Sequence, residues 1–180
     1  YSATVRFDAT NGDIAGTTVD ARTYNSQVSF ISTSTTARNV TLGAGTFILS
    51  GVSSHWYVIA NGASPGNLTV TGATNNPTVT IGGDLDFTGS GTSREQLTTG
   101  SGTWTVSGNA DFSTGSFTAS TNNTFIMDGT SKTVTEPFLD LTFYNFRSSG
   151  SITLAAPTNG FSVNNDLTID STKSLTNGPS

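Results

Sequence analysis

The chain has no cysteine, one histidine and one methionine among its 180 residues. Without cysteine there is no disulfide framework, so stability must come from backbone ladders, packing, bound ions or assembly. With His55 as the sole histidine, a Ser-His-Asp triad would rest on that residue alone, and no G-x-S-x-G elbow lies near it. Basic residues are scarce too. Lys and Arg total 7 against 12 Asp and Glu, a net charge of −5 with no basic cluster, which argues against nucleic acid as a partner. No apolar run approaches the roughly 20 residues that a membrane-spanning helix needs. The first seven residues do not form a secretory signal, so the chain reads as a mature or trimmed form. Ala, Leu, Glu and Lys are scarce wherever a period near about 3.6 would require helix formers.

What is present is alternation. Thr, Val, Phe and Ile alternate with polar residues, punctuated by 20 Gly and many Ser, Asn and Thr, and this pattern specifies an all-β fold. Three segments superimpose: TVTIGGDLDF at 78–87, TWTVSGNADF at 103–112 and GFSVNNDLTI at 160–169, at offsets of 25 and 57 residues. Their alternate positions give four apolar columns (Val79, Trp104, Phe161; Ile81, Val106, Val163; Leu85, Ala110, Leu167; Phe87, Phe112, Ile169) around a column of Gly83, Gly108 and Asn165. Apolar residues at every second place mean one buried strand face. Gly or Asn at the centre means a bend with a left-handed or closely packed backbone. Each copy therefore reads as two short strands meeting at a corner, and the period predicts a short β-solenoid, a β-helix of about seven rungs of about 25 residues, roughly 35 Å long. A β-sandwich of repetitive strands is the alternative.

Residues 1–38 fit the repeat least well and read as an N-terminal cap or side sheet, with residues 39–180 as the solenoid domain. Ser2 to Phe7 is a clear strand with Ala3, Val5 and Phe7 on one face, a candidate for donation to a neighbouring subunit. FLDLTFYNF at 138–146 carries Leu139, Leu141 and Phe143 on one side and Phe138, Tyr144 and Phe146 on the other, so it must be covered twice, within the chain or by a second subunit.

These repeats, with GTWTVSGNADFSTGSFTAS as the fullest example, resemble the Gly/Thr-rich β-repeats of large bacterial and archaeal surface proteins and of virion fibre or decoration proteins. The resemblance covers residues 40–170. It implies a passive scaffold that projects from a surface, binds a neighbour or recognises glycans, commonly within a longer chain or filament.

The chemistry on offer is sparse. Asp84, Asn109 and Asp166 fall in one outward column of the repeat and Asp86, Asp111 and Thr168 in the next, and oxygen ligands on rigid strands are what calcium takes. Without a cation these are solvated carboxylates that keep a sheet soluble. His55, Trp56, Tyr57 and Tyr144 are candidate ring contacts for a glycan or a partner, because three consecutive strand residues cannot all face inward. Asp84 with Asp86, or Asp128 with Glu136, could serve glycoside cleavage, but nothing in the sequence marks the pocket that would raise one carboxyl pKa. Thr78/Thr80 and Thr103/Thr105 make a two-rung hydroxyl ladder of the kind ice-binding solenoids present, though strand propensity accounts for it equally well. The leading expectation is a non-enzymatic module of an extracellular filament, surface layer or virion appendage, assembling as a homo-oligomer through strand edges. A glycan-binding adhesin or tail-spike-like module is the alternative, and a polysaccharide-cleaving enzyme the third reading.

Overall fold

Alternation of period two, interrupted every few residues by Gly, Asn or Ser, cannot build one flat sheet; it builds short strands that turn a corner and stack. The computed structural model describes residues 2–17, 25–49, 51–60, 67–87, 95–136, 140–155 and 160–178. It is an all-β parallel solenoid of about six turns with rungs of about 24 residues, and no helix occurs among the described residues. No helix long and apolar enough to cross a membrane is therefore present among them.

The chain begins with β1 (Ser2–Asp8) and β2 (Ile14–Thr17). Three turns of three strands follow: β3 (Asn25–Ser32), β4 (Arg38–Leu42) and β5 (Thr46–Leu49); β6 (His55–Ala60), β7 (Leu68–Thr71) and β8 (Thr78–Ile81); β9 (Asp84–Phe87), β10 (Glu95–Thr98) and β11 (Thr103–Val106). Next come β12 (Ala110–Asp111), β13 (Gly115–Thr118) and β14 (Thr124–Met127), then β15 (Lys132–Thr135), β16 (Leu141–Ser148), β17 (Ile152–Ala155), β18 (Phe161–Ile169) and β19 (Leu175–Asn177). Strands of one corner position stack into one sheet. Sheet A runs β1-β3-β6-β9-β12-β15-β17-β19, sheet B β13-β10-β7-β4-β2, and sheet C β18-β16-β14-β11-β8-β5. Because consecutive strands go to different sheets and each pairs in parallel with the strand one turn away, the β-sandwich alternative is set aside.

The core is the set of inward columns that this register creates. Sheet C contributes Phe47, Val79, Trp104, Phe125 and Phe146; sheet B Val40, Val70, Leu97 and Phe117; sheet A Val28, Trp56, Leu85, Ala110 and Val134, all buried. Toward the last turns the filling becomes aromatic, with Phe117, Phe125, Phe143, Phe146 and Phe161 in contact at centroid distances of 4.9–5.6 Å. Such offset and edge-on contacts add stabilisation beyond the area they bury.

The corner from sheet C to sheet A is built on glycine. Gly83, Gly108, Gly129 and Gly150 stack there, and a Cβ on any of them would collide with backbone of the preceding rung: Ser54, Gly83, Ser107 and Gly129 respectively. The requirement is close approach, since none of the four has positive φ; among the described glycines only Gly16, Gly45 and Gly100 do.

Four expectations are corrected here. Residues 1–38 are not a separate cap: β1, β2 and β3 are rungs of sheets A and B, and the expected boundary falls at the first residue of β4. β1, the expected donated strand, is paired within its own chain along β3, with Phe7 stacked on Phe30 at 5.1 Å and Val5 packed on the core; the side chain of Ala3 lies outside the described residues. The copy at 160–169 is not a corner, because β18 runs straight through Asn165 beside β16. Finally, β16 is not two-sided: the alternation breaks at Tyr144–Asn145, so Leu141, Phe143 and Phe146 all face the core. Phe138 and Leu139 lie outside the described residues.

Candidate functional site

The outward face of sheet A gathers most of the polar residues singled out in the sequence. β6 and β9 pair with His55 opposite Asp84 and Tyr57 opposite Asp86, and β12 continues the second column with Asp111 opposite Asp86. Asp84, Asp86, Asn109 and Asp111 therefore do share one patch. Asp166 does not join it: it lies in sheet C, opposite Asn145 of β16, because β18 has no corner to carry it round to sheet A.

Within the patch the hydrogen bonds divide the carboxylates and amide into used and open groups. Asp84 Oδ1 accepts from the Asn109 backbone N–H at 2.7 Å, and Asn109 Oδ1 accepts from the Thr133 N–H at 3.0 Å, so corner side chains of successive rungs bridge to the next backbone. That leaves Asp84 Oδ2 and Asp86 Oδ2 at 3.7 and 3.6 Å from His55 Nδ1. Burial, and after it the charge of Asp84, push the Asp86 carboxyl above the usual carboxylate range; Asp111 adds to this and His55 opposes it. The His55 ring stacks on Tyr57 at 5.4 Å and 10°.

The expected ring platform is split. Trp56 is fully buried, packed on Phe30 at 4.6 Å and on Phe47 at 4.8 Å, and cannot touch a glycan. His55 and Tyr57 face outward on sheet A, whereas Tyr144 sits at the irregularity of sheet C. The Asp128 and Glu136 pair is divided between an exposed corner and a buried side chain at the end of β15.

Three features were not legible from the sequence. A groove of about 410 Å³ opens on sheet C, lined by Thr124, Asn145, Arg147, Asn165, Asp166 and Asp170 among others. Arg147 donates to both carboxylate oxygens of Asp170, at 3.0 and 2.9 Å, which holds Asp170 below and Arg147 above their usual pKa ranges. Its signal would have been the extra residue in β18, which places Asn165 and Asp166 beside Asn145. The threonine ladders are also longer than they read. Thr46 precedes Thr78 and Thr124 follows Thr103 on sheet C, and sheet B carries Thr41, Thr71, Thr98 and Thr118 in register. The third is the pairing of His55 with the Asp patch across a rung longer than the repeat period.

No family model, curated protein or solved structure matches the chain. The reading of its function therefore rests on its own geometry.

Proposed function

We propose that the chain is a structural module of an extracellular filament, surface layer or virion appendage that assembles end to end through strand edges. The supporting observation is the end of the stack at β18 and β19. Leu167 and Ile169 occupy core columns there, opposite Phe146 and Ser148, yet are 49 % and 43 % exposed. Beyond them β18 offers a nine-residue edge that no described strand covers. An open edge next to uncovered core residues is a template for another rung. All pairings among the described strands are parallel, so the edge presented by β1, β2 and β5 at the other end has the complementary polarity, and a head-to-tail contact of this kind that does not close generates a fibre. Sedimentation velocity against concentration tests this: the wild-type chain should form a growing series of oligomers, and Leu167→Lys with Ile169→Lys should sediment as a monomer with an unchanged β-sheet circular dichroism spectrum. A wild-type chain that stays monomeric across the range removes the reading.

The sheet C groove favours a second reading, a glycan-binding module, since side-chain amides, hydroxyls and a fixed Arg147–Asp170 pair offer directed donors and acceptors to a sugar. A glycan array should then show a signal that Asn165→Ala reduces about tenfold or more, the loss of one to two hydrogen bonds. No signal on any glycan would discard it.

A further inference from the structure

We propose that His55, Asp84 and Asp86 form a binding site for one divalent ion of the zinc class on the outer face of sheet A. Among the described residues they are the group of three potential ligands whose donor atoms all lie within 4.8 Å of one another. The three come from two rungs, His55 and Asp84 directly opposite and Asp86 two residues on along the same face.

Distances, accessibility and orientation point the same way. His55 Nδ1 is shut off from solvent and has no hydrogen-bond partner, although its side chain as a whole is a third exposed. The two carboxylate oxygens beside it, at 3.7 and 3.6 Å, are beyond hydrogen-bond range. Those separations are close to the edge of a ligand tetrahedron around zinc, about 3.4 Å for metal–ligand bonds of about 2.1 Å. The two carboxylates can only accept and Nδ1 is the one nitrogen between them, so a cation at the centre satisfies all three atoms together. Orientation is already fixed. Asp84 is held through Oδ1 by the Asn109 N–H, which turns Oδ2 toward His55, and the His55 ring is held flat on Tyr57. Supporting contacts of this kind orient metal ligands in established sites.

Charge agrees with geometry. The ionisable groups acting on Asp86 are Asp84, Asp111 and His55, two carboxylates and one imidazole, with no Lys or Arg among them. Asp84 stands on the same face two residues before Asp86, and Asp111 is directly opposite Asp86 on β12, an unfavourable crowding of like charge that a bound cation relieves. The donor set separates this site from the calcium expected of the Asp columns. Asn109 Oδ1 is committed to Thr133, Asp166 is on another sheet, and an imidazole nitrogen with two carboxylate oxygens suits zinc better than calcium, which takes six or more oxygens. Three protein ligands leave a position for water. Since the ligands bridge β6 and β9, the ion would clip two rungs together and stabilise only the folded stack.

The test uses the chain without a polyhistidine tag and zinc chloride as the probe. His55 is the only histidine, so its imidazole C–H proton signals are assigned without any variant, and zinc should shift them and saturate at one equivalent. By calorimetry, His55→Gln and Asp86→Asn should each weaken zinc binding at least tenfold, Asp166→Asn should leave it unchanged, and millimolar calcium should not compete. All three positions face outward, so circular dichroism should match the wild type. Imidazole signals that ignore zinc, or equal affinity in His55→Gln, overturn the site; displacement by equimolar calcium overturns the nitrogen-ligand assignment.

Discussion

Gly108→Val is expected to cost at least about 3 kcal/mol of stability, the upper end of what forced overpacking does in a well-ordered interior. The reason is the spacing of the stack. Neighbouring rungs stand about 4.8 Å apart along the hydrogen-bond direction, and at this corner the chain uses that whole distance for backbone. A Cβ at 108 would meet the carbonyl carbon and oxygen of Gly83 and the Asp84 carboxylate, two of which are main chain and cannot rotate away. Relief would require the rungs to separate, breaking the Gly108 N–H to Gly83 O bond of 2.8 Å and the neighbouring Ser107 N–H to Ile81 O bond of 2.9 Å. Gly108→Ala meets the same atoms with a smaller group and should cost about 1–3 kcal/mol. Gly12→Ala is the control, because a Cβ there has nothing within 4 Å and its φ is not positive, so its effect should stay within about 0.5 kcal/mol. Urea midpoints followed by the fluorescence of the buried tryptophans decide it. Equal midpoints for Gly108→Ala and Gly12→Ala would mean that the corner relaxes and the glycine stack is not a constraint.

The same corner explains what could and could not be read from the sequence. GG in TVTIGGDLDF and SG in TWTVSGNADF mark Gly83 and Gly108 correctly, but the column continues through Gly129 and Gly150 at a spacing of 21 residues instead of the 25 between the first two copies. GFSVNNDLTI matches those copies in its apolar spacing alone. Apolar spacing is a property of any strand buried on one face, whereas the corner is a property of the glycine, and position 165 has none. The parity break at Tyr144–Asn145 left no composition signal either; only the tertiary demand that Phe143 and Phe146 both enter the aromatic core reveals it.

Rung length decides how much of the sheet A patch is visible in the sequence. Asp84, Asp86 and Asp111 are legible in the sequence because β9 and β12 are 25 residues apart, the period of the visible repeat. His55 falls outside that period, 29 residues before its partner Asp84, in a turn with a longer connection, so the sequence shows it only as part of a run of rings. Loop length changes the period without changing the register, because the stack is held by strand ladders and tolerates insertions at the corners. For the same reason residues 1–38 looked foreign although β1 and β3 pair residue for residue.

Trp104→Ala should cost about 3–5 kcal/mol, and the more informative comparison is between Trp104→Phe and Trp56→Phe. Both tryptophans are fully buried, in contact at 5.4 Å, one on sheet C between Val79 and Phe125 and the other on sheet A between Val28 and Leu85. They differ in one respect. Trp104 Nε1–H donates to the Thr99 carbonyl at 3.1 Å, whereas Trp56 Nε1–H is buried with no partner. Replacing indole by phenyl removes similar volume at the two places, so the cavity costs are alike and the polar terms separate. Trp104→Phe strands a buried carbonyl, which adds about 1–3 kcal/mol, while Trp56→Phe removes a donor that was already unsatisfied. Trp104→Phe is therefore expected to be the more destabilising by at least about 1 kcal/mol in urea unfolding. Equal losses would mean that Thr99 finds another donor in the variant or that Trp56 has a partner in solution. A larger loss at Trp56 would place the weight of the core on sheet A rather than on the column that Trp104 shares with Phe125.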